Sequence, residues 1–165
     1  MLSKPVLDAI NEQIKHEVNS AYLYLSMSAY CESLNLPGFA RWLRIQWGEE
    51  LEHAMKLFNM INDRGGRVVL QAIDRPPAEF RSVADVFHQV VQHEQKVTGL
   101  INGLYVVAMK ENDYATQVEL QWFIKEQTEE EKTAGDVLVQ LKAIGESPSL
   151  LMMMDRQMGA RGSKS

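Results

Sequence analysis

The chain has 165 residues, 45% hydrophobic and 24% charged, with a formal net charge of −5; that suits one domain with a sizeable core and argues against nucleic acid as the main partner. No run approaches the length of a membrane-spanning helix, and the first ten residues, which include Lys4 and Asp8, lack the apolar stretch of a secretory leader. The single cysteine, Cys31, has no internal partner, so a reducing cytoplasm is the expected location, with neither membrane nor nucleic acid as a partner.

Ser3 reads as the cap of a first helix over residues 4–33, with Pro5 tolerated in its opening turn. Asn35, Leu36, Pro37 and Gly38 make a tight corner. A second helix then extends to about residue 64 and stops at Gly65 and Gly66. Residues 67–81 show no helical period and contain Pro76 and Pro77. Ser82 and Asp85 have the spacing of a capping box opening a third helix to about residue 111. Asn112 and Asp113 turn the chain into a fourth helix that ends at Ile144, before Gly145. Ser147 and Pro148 open a short fifth helix reaching about residue 158.

These segments predict an all-α domain. Residues 1–145 form a four-helix bundle, residues 146–158 a short C-terminal helix of the same domain, and residues 159–165 a disordered tail. Short corners make the first and second helices antiparallel neighbours, and likewise the third and fourth. The middle connection differs. A helix of about 28 residues is roughly 42 Å long, and a connection of about 17 residues spans at most roughly 55–60 Å. It can therefore run the length of the bundle, so one long crossover is expected between helices 2 and 3.

Steps of three and four residues trace the buried seam of each helix. The first runs through Leu7, Ile10, Ile14, Glu17, Ala21, Tyr24, Ser28 and Cys31, and the second through Phe39, Leu43, Gln46, Glu50, His53, Leu57 and Met60. The third takes Val83, Phe87, Val90, Glu94, Val97, Ile101, Leu104 and Ala108; the fourth takes Thr116, Leu120, Phe123, Gln127, Glu130, Ala134, Val137 and Leu141. Each seam is apolar at its ends and broken near its middle by a polar group. The interruptions Glu17, Glu50, His53, Glu94, Gln127 and Glu130 therefore meet at one level, whichever way the helices run.

Four carboxylates converging in a core cost many kcal/mol if ionised without a cation, and their mutual repulsion adds to that. A pair of metal ions removes the conflict, since carboxylate oxygens and one imidazole suit iron, manganese or zinc. Glu50 and His53 stand one turn apart on one helix face, the spacing found in di-iron carboxylate bundles. A lone Glu-x-x-His is usually a solvated helix face; concurrence on four seams favours a metal site. Tyr24 reads either as a core tyrosine or as a redox neighbour of a metal ligand. Trp122 reads as packing. Glu49, Glu126 and Glu129 flank seam residues and, with Glu130, suggest a third and more open cation site. The methionine-rich run from Leu150 to Met154 reads as an apolar docking face on the bundle or on other subunits. His16, His88 and His93 receive no role.

Over essentially its whole length the chain resembles the bacterial non-haem ferritins. The resemblance rests on Glu17, Tyr24, the segment from Gly48 to Ala54, Glu94, Gln127, Glu129 and Glu130, together with the Leu36-Pro37-Gly38 corner and the short last helix. It implies a ferritin-like fold and an octahedral homo-oligomeric shell whose subunits oxidise Fe(II), with oxygen or hydrogen peroxide as acceptor, and deposit a ferric mineral inside. Glu17, Glu50 and His53 would hold one iron; Glu50, Glu94 and Glu130 would hold the second, with Glu50 bridging. Gln127 would support them from beside. Glu49, Glu126, Glu129 and Glu130 would form a third iron site, Tyr24 would be redox-active, and the fifth helices would line fourfold channels. Leu51 stands where bacterioferritins carry a haem-ligating methionine, so no haem is expected. Gln127 and Glu130 replace the second Glu-x-x-His of symmetric di-iron centres, which predicts unequal iron affinities. Two rivals stand beside this reading: a small di-iron enzyme with tightly held metal, and a purely structural bundle.

Overall fold

A computed structural model describes residues 2–162. Five helices follow in order: α1 (Lys4–Ser33), α2 (Pro37–Asp63), α3 (Val83–Lys110), α4 (Tyr114–Ile144) and α5 (Pro148–Gly159), with no strand among the described residues. The architecture is the expected all-α bundle, and the helix ends fall within about two residues of the expected ones, the usual spread of helix assignment. Asn35 (φ 56°) and Asn112 (φ 53°) adopt the left-handed conformation in the two short corners, where asparagine is tolerated better than most residues. Gly65, at φ 70°, closes α2 in the same region.

Three of the caps follow the sequence and one does not. Ser82 Oγ accepts from the Asp85 amide at 3.1 Å, Asp113 Oδ1 from the Thr116 amide at 3.0 Å, and Ser147 Oγ from the Leu150 amide. Asp85 does not complete a reciprocal box with Ser82; its carboxylate accepts instead from the Arg81 amide and guanidinium. Ser3 occupies the cap position of α1, yet its hydroxyl makes no cap bond.

The chain direction follows from two apolar clusters. One joins the C-terminal half of α1 and the N-terminal half of α2 to the start of α3, the end of α4 and α5; Tyr24, Phe39, Phe87 and Leu141 belong to it. The other joins the start of α1 and the end of α2 to the end of α3 and the start of α4, with Ile10, Leu57, Ile101 and Phe123. Helices α2 and α3 thus run the same way, and α1 and α4 run opposite to them. That topology requires the crossover to traverse the bundle, and α1 staples it along the route. Asn11 bonds the backbone of Arg67 and Val69, Asn19 accepts from the Asp74 amide, and Ser26 donates to the Pro77 carbonyl.

The seams of α2, α3 and α4 are buried at every expected position. In α1, Val6 rather than Leu7 takes the first buried place, and Asn11, Gln13, Ser20 and Met27 are buried too, because the crossover and α3 cover further sides of this helix.

At the start of α2, Leu36 has no side chain able to cap. Asp155 of α5 supplies the missing acceptor, taking the Phe39 amide at 2.9 Å. Gly38 makes that approach possible: a Cβ there would lie 1.6 Å from the Asp155 carbonyl oxygen. The chain beyond α5 departs from expectation. Residues 160–162 form turns, with Arg161 seated on α2; residues 163–165 of the expected disordered tail lie outside the described residues.

Candidate metal centre

Between the two apolar clusters lies a polar layer built from the seam interruptions. Glu17, Gln46, Glu50 and Glu94 are each 1% exposed, and His53, Gln127 and Glu130 are almost as buried. All six polar interruptions expected from sequence therefore converge.

The strongest grouping is Glu17, Glu50 and His53, whose ligand atoms lie within 4.8 Å of one another. His53 Nδ1 stands 3.5 Å from Glu50 Oε2 and 4.0 Å from Glu17 Oε2. Both of those oxygens are fully buried and accept no hydrogen bond. An orphaned buried carboxylate oxygen is costly, and two facing one imidazole form a cradle for a cation. Glu17's other oxygen is held by Gln13 Nε2 at 2.8 Å, which leaves Oε2 free.

A second grouping takes His53, Glu126 and Glu130. Glu130 Oε2 accepts from Gln46 Nε2 at 2.7 Å. Glu94 joins neither grouping among the described residues: Tyr24 donates to one of its oxygens and Gln127 Nε2 reaches the other at 3.1 Å. A carboxylate oxygen has two lone pairs, so those bonds orient Glu94 without consuming it. Of the residues expected at a third site, Glu126 and Glu49 are half-buried and Glu129 is exposed. Glu49 is paired with Arg161 at 2.7 Å, and Glu129 joins no grouping.

Electrostatics agree with a site lacking its counter-charge. Burial, then the proximity of Glu50, pushes the Glu17 carboxyl far above the ordinary range, and burial with Glu94 does the same to Glu50. Glu94 is raised chiefly by burial, and Glu130 is pushed up to about 7 by burial and then Glu94. Burial and then Glu94 also raise the Tyr24 phenol, favouring a neutral hydroxyl that donates.

Trp122 does more than fill space, for its ring meets the His53 ring edge-on at 5.4 Å and carries Lys56 over its face at 4.8 Å. His93, given no role from sequence, is enclosed: it bonds Ser20 Oγ at 2.7 Å and meets the edge of Tyr24. Two contributors escaped the sequence reading. Gln13 lies four residues before Glu17, a spacing that marks it as a neighbour on the same face. Arg161 carries no comparable local signal.

The family model described as Ferritin, a ferritin-like domain, matches residues 7–144. The "Bacterial non-heme ferritin" of Staphylococcus aureus (strain USA300) is 37% identical over 161 residues, covering 98% of this chain and 97% of the relative. A "Probable bacterial non-heme ferritin-like protein" of Haemophilus influenzae is 36% identical, with 99% of each chain covered. Among solved structures, the open pore ferritin of the hyperthermophilic archaeon Archaeoglobus fulgidus superposes with a TM-score of 0.96 at 45% identity, covering 98% of this chain and 99% of that one. A closed form of that archaeal ferritin, engineered by site-directed mutagenesis, gives 0.97 at 44% identity, over 99% and 100% of the two chains.

Proposed function

The chain belongs to the ferritin family, and from that premise we propose that it is the subunit of an iron-storing shell that oxidises Fe(II) at a dinuclear ferroxidase centre and deposits ferric oxyhydroxide inside. The observation that carries the site is the pair of orphaned, buried oxygens on Glu17 and Glu50 facing His53. Iron is substrate and cargo here. One Fe(II) binds Glu17, Glu50 and His53; the second binds Glu50, Glu94 and Glu130, with Glu50 bridging. The grouping of Glu126 with His53 and Glu130 supports Glu126 as the link toward a third site that also uses Glu49, Glu129 and Glu130. Gln127 and Tyr24 orient Glu94 through the hydrogen bonds they donate to it.

Carboxylates stabilise Fe(III) more than Fe(II), which lowers the potential and lets an acceptor take electrons. Two irons give up one electron each; oxygen with two protons becomes hydrogen peroxide, or peroxide with two protons becomes water. The all-oxygen second subsite holds iron less firmly than the one containing His53, and this suits passage onward to mineral.

The bundle of residues 1–145 and the helix over 146–158 act as one unit. The shell is octahedral, with Leu150, Met152 and Met153, all exposed on α5, packing between subunits at its fourfold axes. The protein works in the cytoplasm, without haem, nucleic acid or membrane. No helix among the described residues is long and apolar enough to cross a membrane.

Two measurements test this. Sizing of the purified protein yields a particle of hundreds of kilodaltons, whereas a di-iron enzyme elutes as a small oligomer. Anaerobic loading with Fe(II) followed by oxygen gives rapid oxidation and then mineral. A Glu50→Ala or His53→Ala chain that kept the full oxidation rate would sink the assignment.

A further inference from the structure

Arg161, in the turn that follows α5, reaches Glu130 through a single intermediary. Its guanidinium lies 4.3 Å over the Trp42 ring, donates from Nη1 to Gln46 Oε1 at 3.0 Å, and from Nη2 to Glu49 Oε2 at 2.7 Å. Gln46 is 1% exposed, and its amide nitrogen donates to Glu130 Oε2 at 2.7 Å. We propose that Arg161 is a positioning residue for the second iron subsite, that of Glu50, Glu94 and Glu130, fixing the Gln46 amide and through it the Glu130 carboxylate, while it neutralises Glu49. The inference rests on reading Glu130 as an iron ligand.

The chemistry of the amide makes the point. Gln46 has one accepting end and one donating end. With a permanently charged guanidinium on the oxygen, only the NH2 group can face Glu130. Remove the guanidinium, and a flipped amide would set oxygen against carboxylate oxygen. The same fork engages Glu49 with its second nitrogen, which one lysine ammonium cannot reproduce in that geometry. Arg161 is itself held in place. The turn carrying it follows an α5 that is locked to α2 by the Asp155–Phe39 bond, and Gly162, at φ 74°, passes close to Ile45. An ion arriving at Glu49 must therefore share that carboxylate with the guanidinium.

Co(II), which stays divalent and reports its ligands through visible absorption, is titrated into the assembled protein and into Arg161→Gln, Arg161→Lys and Glu130→Ala. In Arg161→Gln the second equivalent binds about tenfold more weakly, with a changed absorption band, while the first equivalent and the melting temperature are unaltered. Arg161→Lys recovers only part of that affinity. A second equivalent unchanged in Arg161→Gln overturns the proposal, and so does a loss shared equally by both equivalents, which marks a merely structural role. If Glu130→Ala still binds two equivalents as the unaltered protein does, the dinuclear reading fails, and this inference fails with it.

Discussion

The Nδ1 nitrogen of His53 lies 3.5 Å from Oε2 of Glu50, a buried carboxylate oxygen that accepts no hydrogen bond. Without a cation, this arrangement costs stability; with one, it becomes the anchor of the layer. The conflict between folding and metal binding is therefore concentrated in a few atoms.

Glu50→Gln keeps the shape of the side chain and removes its charge. Leaving such a carboxylate buried and unsatisfied costs about 1–3 kcal/mol, so chelated Glu50→Gln should be more stable than the chelated parent by that amount. It should also lose the ferrous oxidation proposed for the parent. Denaturant titration beside an oxidation assay reads both, and a destabilised Glu50→Gln chain contradicts the account.

The pH dependence of the metal-free protein has a definite sign. Glu130 is raised from 4.5 to about 7 in the fold by burial and then by Glu94. Between those values the folded chain keeps a proton that the unfolded chain has released, so stability falls as pH rises through that window. Glu17, Glu50 and Glu94 are raised too and act in the same direction. His93, lowered to about 4 by burial, acts in the opposite direction: its contribution is complete above 6.5 and fades as pH falls toward 4. Comparing the parent with Glu130→Gln isolates the carboxylate. The parent's melting temperature should drop more steeply between pH 5 and 7, and parallel curves would refute the assignment. Bound divalent metal should offset the drop, because it requires the deprotonated forms.

Gln13 holds Glu17 by one oxygen and leaves the other for metal. Gln13→Ala frees the carboxylate to rotate, and the affinity of the first metal equivalent should fall about tenfold with the helix intact. Competition against a chromogenic chelator measures this; unchanged affinity means that Gln13 only fills space.

Docking of α5 on α2 depends on a side chain with no volume. In Gly38→Ala the added carbon meets the backbone of Asp155 at 1.6 Å, which a side-chain rotation cannot relieve. The expected loss is about 3 kcal/mol or more, with α5 cut faster by protease. Asp155→Ala, which removes only the bond to the Phe39 amide, should cost about 1–2 kcal/mol. Equal sensitivity of the two variants would mean that the close approach is unimportant.

What the residues alone determined was the set of helices and the chemistry they carry. Caps, asparagine corners, glycine stops and the three-and-four spacing are local properties of a helix, so the seams of α2, α3 and α4 could be read without knowing what they faced. The length of the crossover likewise decided that α3 starts beside the start of α2. The tertiary structure alone decided which oxygens are spent and which are left bare. Glu94 is engaged by Tyr24 and Gln127, Glu126 joins His53 and Glu130, and Gln13 turns Glu17. Those outcomes depend on how one helix is rotated and shifted against another, which a 3.6-residue period does not encode. Arg161 is the extreme case: it stands 115 positions from Gln46, its flanking glycines and charges read as tail, and only the docking of α5 brings it to the polar layer.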